Sequence, residues 1–154
     1  MTDTHDFYPM LRRLKIARID AVAMAKDAFT WPLELGAATQ VLETAVAEAL
    51  SIMVFAGSRG CVQIHGGPIR NLKPTGPWLN ILDDNFHLHL RLDHIAQLWA
   101  VRKPTDRGRV TSVEAYGANG SLIVQFFGIE GKGLDAPRWA EIVEALPRLE
   151  AKVA

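Results

Sequence analysis

Gly60–Asp93, GCVQIHGGPIRNLKPTGPWLNILDDNFHLHLRLD, decides the fold. Its apolar runs are short or alternating: Cys61 to His65, Trp78 to Leu82 and Phe86 to Arg91, set apart by glycine- and proline-rich turns such as Gly66-Gly67-Pro68 and by Asp83-Asp84-Asn85. Runs of this length and punctuation read as strands and turns, because an amphipathic helix needs a longer segment with apolar residues every three or four positions. The pattern extends in both directions. Ile52 to Ala56 and Cys61 to His65 flank Gly57-Ser58-Arg59-Gly60 as one hairpin, and Ile95 to Val101 adds a strand after the Leu92-Asp93-His94 link. Val110 to Tyr116 and Leu122 to Phe127 form a second hairpin around Asn119-Gly120, a pair suited to positive φ. The expectation is a large antiparallel meander.

Outside this block the period changes. Phe7, Met10, Leu11 and Leu14 recur at i, i+3, i+4, i+7, one apolar stripe of a helix from about Asp6 to Lys15. With Asp6 as its N-cap, Pro9 falls at the third helical position, where its missing N–H had no intrahelical partner. A second helix, Arg18 to Lys26, is expected to bury Ile19, Val22 and Ala23. A third, roughly Gly36 to Leu50, would bury Val41, Leu42, Ala45, Val46 and Ala49, with Pro32 marking the loop before it. Asp135 is read as the cap of a last helix that carries Pro137 in its first turn and Trp139, Ile142, Val143 and Leu146 on its inner face, with Pro147 ending or kinking it. The fold class is therefore α+β: N-terminal helices and a C-terminal helix packed on a large antiparallel sheet, in one domain over residues 1–154.

Bulk properties narrow the function. Lysine plus arginine equal aspartate plus glutamate at 17 each, so no long-range field attracts nucleic acid or an anionic membrane, and an anionic ligand has to be caught locally. Cys61 is the only cysteine, which fits a reducing compartment, and no apolar run suits a signal peptide or a membrane span. A cytoplasmic protein is expected.

Five histidines are the first candidates for chemistry, since neutral imidazole binds iron, zinc or copper. His5 and Tyr8 are three apart and Arg12 lies four beyond, so they share one side of the helix entry. Taken alone, His5 reads as a solvated residue near a terminus. Along Phe86–Arg91 the alternation places His87, His89 and Arg91 on one side and Phe86, Leu88 and Leu90 on the other. Two histidines at i, i+2 can chelate a metal, as in a cupin-like site, although such a site needs a third histidine and a carboxylate; the plainer reading is a polar face. His65 reads as a strand-end residue bonded to backbone, His94 as a turn residue, and Trp78 and Trp99 as core or interface anchors. The serines and glycine turns lack the settings of nucleophile elbows or phosphate loops.

The Gly60–Asp93 stretch, continued by Leu98-Trp99-Ala100-Val101-Arg102-Lys103-Pro104-Thr105 and Ser121-Leu122-Ile123-Val124-Gln125-Phe126-Phe127-Gly128 and preceded by Asp3-Thr4-His5-Asp6-Phe7, resembles the second repeat of the HemS/HmuS/ChuX-type family of cytoplasmic, hemin-degrading heme-utilisation proteins. Nearly the whole chain is covered. Full members of the HemS/HmuS type carry two repeats, and this chain carries one. The resemblance implies heme as ligand and His5, in its D-x-H-x-F context, as the axial ligand of the iron. It implies Arg18 and Lys103 against the propionates, and Phe55, Gln125 and Phe127 around the pocket, with Tyr8 beside His5. Because Phe126 and Phe127 are adjacent on a strand, only one of them can serve the pocket. Beyond Gly128 the family continues with basic residues, where this chain has Ile129-Glu130-Gly131-Lys132-Gly133.

In two-repeat relatives an arginine from the first repeat guards the far side of the heme, on a strand matching Phe86–Arg91. A homodimer presenting His89 or Arg91 across its interface would replace it. The implied function is a heme carrier in heme uptake and iron acquisition, with degradation as an extension and with heme-donor transporter and heme-acceptor proteins as partners. Two alternatives stand beside it: a non-heme metal protein using the His-x-His strand, and a heme-free structural or regulatory dimer.

Overall fold

A computed structural model describes residues 6–130 and 134–150; His5 and Lys132 lie outside the described residues. Helix α1 spans Phe7–Leu14 with Pro9 at its third position, and α2 spans Arg18–Met24. Asp6 occupies the N-cap position of α1, but its side chain makes no capping hydrogen bond. The chain then runs through β1 (Thr30–Leu33), α3 (Ala37–Ala47), β2 (Ser51–Ser58), β3 (Cys61–Pro68), β4 (Leu72–Thr75), β5 (Trp78–Asp83) and β6 (Phe86–Arg91). It continues as β7 (Gln97–Thr105), β8 (Gly108–Tyr116), β9 (Leu122–Phe127), the two-residue strands β10 (Ile129–Glu130) and β11 (Leu134–Asp135), and α4 (Pro137–Ala145).

The strands do not form one meander. Six make an antiparallel sheet in the order β1-β7-β8-β9-β2-β3, and β4-β5-β6 make a separate three-stranded sheet. Two strands of these sheets arise that were not expected, one of them where Pro32 marked a loop. Pro32 lies in β1, at the edge of the six-stranded sheet, and Pro74 in β4, at the edge of the smaller one; an edge strand needs only half of its N–H groups, so proline is admitted there. Ile95 is buried but precedes β7 rather than starting it.

Both faces of the large sheet are covered, by different partners. On one face Leu98, Ala100, Val113, Ala115, Val124 and Phe126 pack with α3, α4 and the apolar side of the small sheet, represented by Leu79, Ile81, Phe86 and Leu90. On the other, Trp99, Val101 and Tyr116 pack with Val22 of α2. Alternation along β9 sends Phe126 into the first layer and Phe127 to the second. Some apolar helix positions fall outside these layers. Leu14 is 53% exposed because α1 ends there in a left-handed Lys15; Ala23 is exposed; and Ala49 adopts φ 50° beyond the end of α3. Val46 is only partly buried.

Asp135 does not cap α4, whose N-cap is Ala136; its carboxylate instead accepts the Thr111 N–H at 2.7 Å, tying β11 to β8. Helix α4 is pinned by Trp139, whose indole N–H donates to the Thr111 carbonyl at 2.9 Å and whose ring lies against Gly128. A Cβ at residue 128 would come within 2.3 Å of that ring. Gly128→Ala is therefore expected to cost about 1–3 kcal/mol through overpacking, seen as a lower urea midpoint at unchanged slope; an unaltered midpoint would show that α4 yields freely.

Candidate ligand cleft

The α1/α2 face of the large sheet carries the polar chemistry. Period-two alternation aligns Ser112, Glu114 and Tyr116 on β8 toward this face, flanked by Lys103 of β7 and Gln125 of β9. Glu114 is fully buried and is the centre of the cluster. Arg18, the first residue of α2, grips it with two bonds, Nε to Oε2 at 3.1 Å and Nη2 to Oε1 at 2.8 Å. Ser112 Oγ donates at 2.8 Å, Gln125 Nε2 at 2.9 Å, Tyr116 OH at 2.5 Å and Lys103 Nζ at 3.4 Å. A buried carboxylate survives only with this degree of pairing.

The charges shape one another. Burial opposes ionisation of Glu114, but Lys103 and Arg18, with the Arg18 and Tyr116 hydrogen bonds, outweigh it and hold the carboxyl well below the ordinary range. Burial draws the Lys103 ammonium below its usual value, and Glu114 restores part of the loss. Burial and the Glu114 charge push the Tyr116 phenol upward, so it stays a donor. Two cations surround one anion, which leaves the cluster one positive charge in excess. Phe7 covers it, with Arg18 5.0 Å and Lys103 5.1 Å from its ring centroid.

Beside the cluster opens a cleft of ≈ 1080 Å³ between α1, the start of α2, and strands β2, β3 and β9. Its wall is apolar: Phe55, Val62, Leu122 and Ile123 from the sheet and Leu11 from α1. Its cations are Arg12, Lys15, Arg18 and Arg59. Arg12, Lys15 and Arg59 form no salt bridge among the described residues, and the Nη1 of Arg18 makes no hydrogen bond among them. Phe55 is fixed by an edge-on contact with Phe127, ring centroids 5.2 Å apart.

Of the residues singled out from sequence, Tyr8, Arg18, Phe55 and Gln125 line this cleft. Lys103 and Phe127 stand behind it: Lys103 meets the cluster through Glu114, and its Nζ lies 5.9 Å from the Phe127 ring. Phe7, the first residue of α1, covers the cluster, and His5 lies outside the described residues. His89 and Arg91 are elsewhere, on the outward face of the small sheet, where Arg91 pairs with Asp93 at 2.9 Å and stacks over Trp78. His65 does not bond to backbone as expected; it stacks on Phe86 at 3.9 Å, with its Nε2 buried and unpartnered among the described residues. Sequence reasoning missed Glu114, Tyr116, Lys15 and Arg59. Ser112, Glu114 and Tyr116 alternate along β8, but alternation of this kind reads as a solvent-facing side and did not mark a buried cluster.

Comparison with known proteins places the chain. The haemin-degrading HemS/ChuX domain profile matches residues 15–146. The hemin transport protein HmuS of Yersinia pestis is 36% identical over 147 residues, which is 95% of this chain and 43% of HmuS. Holo-PhuS, a heme-binding protein from Pseudomonas aeruginosa, superposes with a TM-score of 0.93 at 41% identity over 97% of this chain and 43% of that one. ChuS, a heme oxygenase of E. coli, superposes with a TM-score of 0.90 at 37% identity over 95% of this chain and 45% of its own. The chain thus spans less than half the length of these relatives.

Proposed function

The chain belongs to the haemin-degrading HemS/ChuX domain family, and from that premise we propose that it binds heme in the α1/α2 cleft as a carrier in heme uptake. The observation that carries the reading is the cleft's division into an apolar wall and a cationic side. Heme presents a flat apolar ring and two carboxylates on one edge, and such an amphiphile needs both surfaces at once. Phe55, Val62 and Ile123 would cover the ring, and Arg18, whose cluster is one negative charge short, would take one propionate. Arg12, Lys15 and Arg59 stand available for the other. His5 would supply the axial imidazole, and Lys103 would act through Glu114 and Arg18.

Carriage requires ligation, anion contacts and apolar cover. Degradation further requires a controlled oxygen site across the iron, so we assign the carrier role first. A second copy of the chain would supply His89 or Arg91 to the open side, since their own sheet holds them away from the cleft. A strictly monomeric protein with six-coordinate heme would sink that dimer. Among the described residues no helix is long and apolar enough to cross a membrane, and with the lone exposed Cys61 this supports a cytoplasmic carrier that meets a heme-donor transporter and heme-acceptor proteins.

The test is titration of the apo-protein with ferric heme while the Soret band is recorded for wild type and His5→Ala. The expected result is a saturable band in wild type that weakens and shifts in the variant. A spectrum unchanged by the substitution removes His5 from ligation, and the absence of saturable binding removes the carrier.

A further inference from the structure

We propose that His87 and His89 form a two-imidazole site for a borderline divalent metal ion, Zn²⁺ or Cu²⁺, on the outward face of the small sheet, away from the chain's own cleft, which leaves Arg91 rather than His89 as the residue a second copy would offer to the heme. The site follows from a tautomer that the hydrogen bonds fix. Asn80 lies directly opposite His89 across the β5/β6 ladder, and its Nδ2 donates to the Lys73 carbonyl at 3.0 Å. That bond settles which end of the amide is oxygen, so Asn80 Oδ1 faces His89 Nδ1, 2.7 Å away, as an acceptor only. Nδ1 must then carry the proton. In the neutral ring Nε2 is left as the bare, basic nitrogen, on a residue exposed to solvent. An imidazole held through its far N–H by a carbonyl-type oxygen is the arrangement metal-binding histidines adopt, because the second bond fixes the ring's direction and raises its basicity.

His87 completes a pair. It is two residues back on the same side of β6, exposed, and without a hydrogen bond among the described residues, so its ring is free to turn. The two ring centroids are 6.4 Å apart. A metal–nitrogen bond of about 2.0–2.1 Å places an ion roughly 3 Å from each centroid, so the separation of the two rings is of the size a shared ion requires once His87 turns a nitrogen toward it. The flanking charge is already countered: Arg91 is held by Asp93 through bonds of 2.9 and 3.2 Å. No group of three or more histidine, cysteine or carboxylate side chains comes together among the described residues, so water fills the remaining positions and the ion is exchangeable. This chemistry selects borderline metals over Mg²⁺ or Ca²⁺ and ranks Cu²⁺ above Zn²⁺.

The experiment is calorimetric titration of the heme-free protein with Zn²⁺ and Cu²⁺, compared with His87→Ala, His89→Ala and Asn80→Ala. One equivalent is expected in wild type, with Cu²⁺ tighter, at least tenfold loss in either histidine variant, and roughly 10- to 100-fold loss in Asn80→Ala through the unfixed ring. Nitrogen-15 correlation spectra of the apo-protein should show His89 protonated at Nδ1. Binding that persists in the double variant His87→Ala/His89→Ala, no saturable binding, or the Nε2–H tautomer for His89 would each overturn the site. Because heme is absent throughout, none of these outcomes depends on the carrier reading.

Discussion

Glu114→Gln is expected to lower the unfolding free energy by about 3–5 kcal/mol, the usual cost of removing one partner from a buried charge cluster. The substitution keeps the shape of the side chain and removes its charge. Lys103 is left nine-tenths buried with no counter-ion, beside a second cation, Arg18. The effect is a property of the cluster, so the variants do not add. Lys103→Met leaves Arg18 and Glu114 as a balanced pair and is expected to be mild. In Glu114→Gln/Lys103→Met the remaining Arg18, with 22% of its side chain exposed, can turn toward water, so the double variant should be more stable than Glu114→Gln alone. The pH dependence has a fixed sign. The folded carboxyl titrates below its unfolded value, so its stabilisation is fully present above the ordinary carboxylate range and is lost as pH falls through the depressed folded value. Urea unfolding from neutral to acid pH should show the gap between wild type and Glu114→Gln shrinking toward the acid end. A gap below 1 kcal/mol at neutral pH would mean that water already solvates the cluster.

That cluster marks the boundary of what sequence conveys. Strands β6 and β9 were legible to the residue, because Phe86–Arg91 and Leu122–Phe127 each fit one face to apolar packing and end in turn residues. Phe126 and Phe127 were correctly divided between two faces for the same reason. The split into two sheets was not legible: strand pairing over long separations leaves no local trace, and Pro32 in β1 reads as loop until its edge position is known. Glu114 was invisible for a different reason. A polar residue in an alternating strand ordinarily marks the solvent side, and burial of this one depends on Arg18, 96 residues away, closing over it. The family resemblance supplied Arg18 and Lys103 as ligand contacts. The structure adds that both are first committed to an internal carboxylate, which changes what each can offer an incoming one.

The consequence for binding is specific to Arg18. Arg18→Ala is expected to weaken ferric heme binding by roughly 10- to 150-fold, the loss of one charge-assisted hydrogen bond of about 1.5–3 kcal/mol. Glu114 and Lys103 remain as a neutral pair in that variant, so the fold should persist, and a thermal melt is the control. Heme dimethyl ester separates charge from shape. It keeps the ring and the iron but cannot accept the Arg18 interaction as an anion, so wild type and Arg18→Ala should bind the ester alike if Arg18 acts by pairing with a propionate. Equal losses for heme and ester would mean that Arg18 serves the cleft by holding Glu114 and the start of α2 in place. No loss for either would move the anion contacts entirely to Arg12, Lys15 and Arg59, which have no such internal commitment among the described residues and whose positions around the cleft permit one propionate contact without disturbing the buried cluster.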